Sequence, residues 1–340
     1  MSRRCRGPDV ARSSFRAARI VVLLLAVTAA LPGVVATADG ASGASLWFEV
    51  TGRALAYAGL ALAYGAAAWL WVMPAGLDGM AGTARRTLVL AAALHAAGLL
   101  FIAKTVADSD QMPWASTADG RLVAARLAVT LGALAMAGLA AVPRPPIALA
   151  APVAVTFLVL AGLAPAASGN PAAAGLPGFL VDAMHLLAAA TWVGGLVMFV
   201  VALGQASRGG LAVERVRAIG RRFGTLALVC VLLLVLAGFS ASLLVLGRQL
   251  LREPALLVAS PYGRLLLAKV GLTLLMLGLA VANRVVFLDP DGLRGWRARL
   301  AAAGPDGTTA GLRRIVTMEA VLGGSIVVLA AILATVQPPA

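Results

Sequence analysis

The sequence predicts an all-α fold, a polytopic transmembrane bundle of eight core helices that follow an N-terminal signal peptide or anchor. Three observations support this fold class. Of the 340 residues, 61% are hydrophobic and only 12% are charged, whereas about 25% of a soluble domain is charged. The mean hydropathy is +0.94. After residue 45, eight apolar runs are each long enough to cross about 30 Å of hydrocarbon as a helix.

The eight predicted spans lie approximately at 47–72, 86–106, 122–142, 146–166, 179–203, 223–246, 265–287 and 315–335. All should be helical, because lipid offers the backbone no other hydrogen-bond partner. An arginine-rich segment, the apolar stretch Ile20 to Ala30 and Ala36-Thr37-Ala38 precede them. This order is typical of a secretory signal peptide cleaved near residue 38, and a retained signal anchor is the alternative. The predicted organisation is therefore 1–38, a four-helix membrane half at 46–170 and a second half at 179–335.

Charge and residue counts exclude several classes of protein. The net charge of +14 comes from 28 Lys and Arg against 14 Asp and Glu. If the first core helix starts outside, the arginines concentrate in the inner loops, as the positive-inside rule requires, so no nucleic acid is needed to explain them. Two cysteines and two histidines are too few for a disulfide framework, a zinc-finger array or a multi-haem cytochrome. The sequence contains no P-loop, and we expect no enzymatic activity.

Ionisable residues inside spans need a partner, a route to the interface or a function. Arg53, Lys104 and Arg126 lie near the outer ends of their spans, where snorkelling toward the interface is the expected behaviour. Glu49 is four residues before Arg53 and can pair with it on one helix face. At the inner side, the similar depth of Arg284 and Glu319 predicts a structural ion pair between the seventh and eighth spans.

The seventh span carries a polar and sulfur-containing stripe at helical spacing. We interpret this stripe, with Trp192 of the fifth span, as a pathway or gating set: Lys269, Thr273, Met276, Asn283 and Trp192. The alternative is that Lys269 snorkels outward while Thr273 bonds its own backbone.

The fifth span carries the densest set of candidate metal ligands. Asp182 and His185 are three residues apart, so the carboxylate can orient one imidazole nitrogen and leave the other for a metal. Met184 and Met198 lie near one helix face, about 21 Å apart in depth. Thioether sulfur suits Cu(I), and imidazole suits Cu(I) or Cu(II). The predicted metal set is therefore His185, Met184, Met198 and Asp182, although methionine is also a common filler of apolar interiors.

His95 lies in the middle of the second span, where a hydrogen bond to a neighbouring helix is the simplest account. A haem clamped by both histidines is disfavoured, because His185 lies about 9 Å and His95 about 18 Å below the outer boundary. Cys230 is expected to be a small buried hydrophobic residue.

A series of short motifs follows over about 179–335: His185-Leu186-Leu187-Ala188-Ala189, Trp192-Val193-Gly194-Gly195-Leu196, Arg222-Phe223, Gly238, Pro261-Tyr262-Gly263-Arg264-Leu265-Leu266 with Lys269, Asn283-Arg284, and Arg313-Arg314 leading to Glu319. In this order and spacing, the motifs resemble the copper-resistance protein D (CopD/PcoD) family. One departure is that Ser168-Gly169-Asn170 stands where members often have Ser-Gly-His, and Asn is a poor copper ligand.

The resemblance implies an eight-helix protein of the bacterial cytoplasmic membrane, with copper as its ion and a periplasmic copper-binding protein as a partner. It implies copper passage or homeostasis, from the periplasmic or outer side toward the cytoplasm. The C-terminus would then lie outside. Two alternatives remain at this stage. One is an assembly factor or redox subunit that delivers copper to an oxidase or holds one b-type haem. The other is a structural partner of another transporter.

Overall fold

The computed structural model describes residues 43–72, 78–109, 118–140, 174–209, 213–247, 255–284 and 304–338. These residues form seven long helices and one short helix. In chain order they are α1 Gly43–Val72, α2 Asp78–Ser109, α3 Ala118–Ala140, α4 Leu176–Gly209, α5 Val213–Leu246, the short α6 Ala255–Ala259, α7 Pro261–Asn283 and α8 Gly304–Leu333. The predicted signal segment, the predicted fourth span and Asn170 lie outside the described residues.

Five of these helices contain segments long and apolar enough to cross a membrane, judged by length and composition. They are Arg86–Ala107 in α2, Leu176–Gln205 in α4, Ala218–Leu246 in α5, Pro261–Asn283 in α7 and Gly311–Leu333 in α8. The prediction of a helical membrane protein is confirmed at this level. Helices α1 and α3 occupy the positions of the first and third predicted spans.

Helices α1 and α4 cross at the centre of the described bundle. α1 packs against α2, α4 and α8, and α4 also packs against α5 and α8. The crossing brings Gly65 and Gly194 together, and a Cβ on Gly194 would overlap the carbonyl oxygen of Ala61 and stand 2.9 Å from the nitrogen of Gly65. Gly195 likewise leaves room for the ring of Phe223. Gly194 and Gly195 therefore permit close helix packing, as small residues allow membrane helices to approach.

The largest apolar core among the described residues surrounds the middle and C-terminal part of α4. Aromatic rings from three helices meet there: the ring centroids of Trp69 and Phe199 are 6.3 Å apart, and those of Phe199 and Phe223 are 5.5 Å apart. Trp192 and Cys230 belong to the same core and are 3% and 4% exposed. Cys230 is thus the buried residue that was predicted.

Two polar contacts on α1 agree with the sequence. Nδ1 of His95 on α2 lies 2.9 Å from the backbone carbonyl oxygen of Ala56 on α1, and the imidazole is fully buried. This confirms the helix-to-helix hydrogen bond expected for His95. The guanidinium of Arg53 donates to Oε1 of Glu49 from Nη2 at 2.7 Å, which confirms the predicted pair one turn apart.

The other two cations of this half behave differently from each other. Lys104 is exposed, as expected for a snorkelling side chain, and its Nζ lies 5.5 Å from the ring centroid of Phe48. Arg126 was expected to snorkel as well, but it is only 7% exposed. The orientation of α3 turns its side chain inward, into the electrostatic range of Tyr57 on α1. Depth along a span therefore did not reveal which way this arginine points.

Candidate metal site

Three helices bring the candidate site together. α4 supplies Asp182 and His185, α5 supplies the backbone around Gly238, and α7 supplies Lys269. α7 begins at Pro261, where Oγ of Ser260 accepts a hydrogen bond from the backbone nitrogen of Gly263 at 3.0 Å. A proline at the first helical position and a serine cap are ordinary helix-start signals. They fix Lys269 about two turns into the helix.

The imidazole of His185 lies against the backbone of α5. A Cβ placed on Gly238 would stand 3.4 Å from Cε1 and 3.6 Å from Nδ1 of the ring. The glycine therefore leaves space for about one methyl group next to this edge of the ring. The imidazole interacts with the backbone carbonyl of Leu234, one turn earlier on α5. Nδ1 itself is buried and has no hydrogen-bond partner. A buried polar nitrogen left in this way is costly, unless something binds it.

Asp182 makes no hydrogen bond to His185, so the orienting role that the sequence suggested is not observed. It lies in the electrostatic range of Lys269, and Lys269 also acts on His185. The group that interacts directly with the imidazole is the Leu234 carbonyl. The site therefore places one acidic and one basic side chain near the imidazole ring.

The two methionines of α4 lie in different environments. Met184 is half-buried and directly precedes His185 in the sequence. Adjacent residues on a helix point about 100° apart, so its sulfur does not share a face with the imidazole. Met198 is fully buried in the apolar core with Trp192, Phe199 and Phe223. The structure thus places Trp192 and Met198 in the packed interior, away from the His185 end of the helix.

Part of the stripe on α7 faces the interior of the bundle. Met276 is 1% exposed and lies in the same apolar core as Met198, and Asn283 is 5% exposed. Thr273 donates to the backbone carbonyl of Lys269 at 2.8 Å, which is the simpler behaviour expected for it. Lys269 does not point away from the bundle, since it acts on two groups of α4.

The predicted ion pair between Arg284 and Glu319 is not formed. Glu319 is 2% exposed and accepts a hydrogen bond from Nδ2 of Asn283 at 3.1 Å. Arg284 is exposed, and its guanidinium lies near Gly224 of α5. Consecutive residues of a helix point in different directions, so only one of Asn283 and Arg284 can face α8.

In the part of the chain that the structure describes, no group of three or more His, Cys, Asp or Glu side chains is arranged to hold a metal. The candidate therefore depends on one imidazole nitrogen and its neighbours. The two histidines also have separate surroundings. His95 is bonded to α1, whereas His185 faces α5, which is a poor arrangement for two ligands of one haem iron.

Residues 217–333 match the family model of copper resistance protein D. We call these residues, which are similar to that family, the CopD region. The resemblance stated from the sequence is confirmed over these residues. No curated protein and no solved structure is detectably similar to the chain.

The CopD region begins within α5 and ends with the last residue of α8. It therefore includes Gly238, Lys269, Asn283 and Glu319, and it excludes α4 with His185. The candidate metal site is formed where the CopD region meets α4. The similarity over these residues is to a family described as copper resistance protein D.

Sequence reasoning missed two features of this junction. Gly238 was noted only as part of a motif, although a glycine inside an apolar helix is itself a signal for close approach. Asn283 was assigned to the α7 stripe without a partner, although a buried amide can donate a hydrogen bond to a buried carboxylate at the same depth.

Proposed function

We propose that this protein passes copper across the bacterial cytoplasmic membrane, from the outer side toward the cytoplasm, and that His185 is the first ligand. One observation carries the assignment. The Nδ1 atom of His185 is buried, has no hydrogen-bond partner and faces the space over Gly238 in the CopD region. Imidazole nitrogen is a good ligand for both oxidation states of copper.

Soft side chains then offer positions deeper in the bundle. Met184 stands beside His185, and Met198 and Met276 share the apolar core. Thioether sulfur binds Cu(I) without bringing a charge into the hydrocarbon region, so it can hold the ion weakly and release it. On this proposal Thr273 and Asn283 complete the inward face of α7. The side chain of Trp192 blocks the path through the apolar core when no copper is passing.

The charges beside His185 act as a gate in this proposal. Lys269 disfavours an added positive charge at the imidazole, and Asp182 offsets the charge of Lys269. A copper ion that reaches His185 competes with Lys269 for the negative charge of Asp182.

Copper moves down its gradient on this proposal, and a periplasmic copper-binding protein supplies it at the outer face. The decisive experiment is copper uptake by sealed proteoliposomes that contain the purified protein, compared between the wild type and His185→Ala. Zinc serves as the competing ion. We expect saturable, copper-selective uptake in the wild type and its loss in the variant.

His95→Gln is the matched control, because it changes the other histidine and keeps a side chain able to hydrogen-bond the α1 backbone. It should retain uptake. Equal uptake by the wild type and His185→Ala would refute the ligand assignment. Absence of uptake by folded wild-type protein would refute transport and favour a partner-dependent role in assembly.

A further inference from the structure

Glu319 on α8 and Asn283 on α7 form a buried polar pair. Copper passage through His185, as proposed above, gives Glu319 no role. The two side chains are 2% and 5% exposed. Nδ2 of Asn283 donates to Oε1 of Glu319 at 3.1 Å. The other polar atom of the amide, Oδ1, is buried and has no hydrogen-bond partner.

Glu319 meets no charged partner among the described residues. Its helix packs against α7, α4 and α1. The described ionisable side chains of these helices are Tyr262, Arg264, Lys269 and Arg284 on α7, Asp182 and His185 on α4, and Glu49, Arg53, Tyr57 and Tyr64 on α1, while Arg313 and Arg314 on α8 itself are exposed. None of them forms an ion pair or hydrogen bond with Glu319, whose interacting neighbour is Asn283.

An ionised carboxylate in an apolar interior is strongly disfavoured without a compensating charge. Either a proton or a metal cation could provide that charge. A hard cation such as Ca²⁺ takes six or more oxygen ligands, whereas this pair offers the two carboxylate oxygens and one amide oxygen. A proton needs only one acceptor, so the surroundings favour the proton.

The orphaned amide oxygen supports the same choice. A carboxylate only accepts hydrogen bonds, whereas a protonated carboxyl group both donates and accepts. A carboxylic acid and a primary amide can therefore form a cyclic pair with two hydrogen bonds. The structure contains one of these two bonds, and the oxygen needed for the other is buried without a partner. One added proton on Glu319 supplies the missing donor.

We propose that Glu319 and Asn283 form a reversible proton-binding site, and that Glu319 gives up its proton when a copper cation occupies the bundle. Release leaves a carboxylate that still accepts from Asn283, and the proton passes to water. The negative charge then stabilises the cation in the low-dielectric interior. The exchange with copper rests on the proposed function, whereas the proton site itself does not.

Infrared difference spectroscopy of the protein in lipid vesicles tests this directly, because the C=O stretch of a protonated carboxyl group is separate from the carboxylate bands. Wild type is compared with Glu319→Gln, which keeps the size and the hydrogen bond but cannot titrate. Glu49→Gln is the matched control, since Glu49 lies at the other end of the bundle and pairs with Arg53. In Asn283→Leu the band should shift to higher frequency, because the carboxyl group loses its partner.

We expect a protonated-carboxyl band that titrates reversibly with pH, disappears in Glu319→Gln and persists in Glu49→Gln. Copper addition should abolish the band at constant pH. A band that is missing, or that never titrates, overturns the proton site whether or not copper is transported. A titrating band that ignores copper in a wild type that does take up copper overturns the exchange. A titrating band in a wild type that takes up no copper refutes the proposed function and leaves the proton site established.

Discussion

His185 on α4 and Gly238 on α5 face each other so closely that a single methyl group would complete their contact. A Cβ on residue 238 would stand 3.4 Å from Cε1 and 3.6 Å from Nδ1 of the ring, which is ordinary van der Waals distance. The glycine is therefore not required for the two helices to pack. Its lack of a side chain instead leaves room for about one methyl group beside the buried edge of the imidazole.

Gly238→Ala should separate copper binding from stability. The added methyl group covers the Nδ1 edge, so we expect copper affinity to fall about tenfold, equivalent to ~1.4 kcal/mol. The free energy of unfolding should stay the same or rise by up to about 1 kcal/mol, because alanine is the better helix former. Copper titration and thermal unfolding in detergent measure the two quantities. Unchanged affinity would show that copper does not approach His185 from this side.

The opposite charges of Asp182 and Lys269 should tune the same site in opposite directions. A unit charge about 10 Å away contributes roughly 1.7 kcal/mol at an effective dielectric constant of about 20. Asp182→Asn should therefore weaken copper binding about tenfold, and Lys269→Met should strengthen it by a similar factor.

Lys104→Met is the control for these two variants. It removes an exposed lysine of helix α2 that lies over Phe48, and α2 supplies no residue of the candidate site. It should leave copper affinity unchanged. If Lys269→Met weakened binding instead, Lys269 would be a structural residue rather than a gate.

Features that depend on local spacing were predictable from the sequence. The pairing of Glu49 with Arg53 follows from one helical turn. The close crossing at Gly194 follows from two small residues inside an apolar span. The long helices follow from hydropathy, because lipid permits few alternatives.

Features that depend on the rotation of one helix against another were not predictable. Arg284 and Asn283 lie at nearly the same depth, so depth alone favoured the charged residue as the partner of Glu319. The structure turns Asn283 toward α8 instead. Arg126 turned inward and Asp182 turned toward Lys269 for the same reason. A single sequence gives the depth of a residue in a span but not the facing direction of its helix.

Gly194→Ala should destabilise the bundle at the crossing of α1 and α4. The new methyl group would overlap the carbonyl oxygen of Ala61, and backbone atoms cannot move aside as a flexible side chain can. Overpacking of this kind costs about 1–3 kcal/mol. Thermal unfolding should show a lower midpoint.

Gly204→Ala is the control on the same helix, since a Cβ at Gly204 would meet nothing within 4 Å. Its unfolding midpoint should match the wild type or exceed it slightly. Equal midpoints for Gly194→Ala and Gly204→Ala would mean that α1 and α4 can separate at no cost.

His95→Ala should reveal whether the two histidines have separate roles. The substitution removes a fully buried ring together with its 2.9 Å hydrogen bond to Ala56, so it leaves a cavity between α1 and α2. We expect the free energy of unfolding to fall by about 2 kcal/mol or more. Copper binding measured below the unfolding transition should persist, because His185 faces α5 rather than α1. If copper binding were lost while the unfolding midpoint stayed constant, His95 would be a ligand, and the site would have to include both histidines.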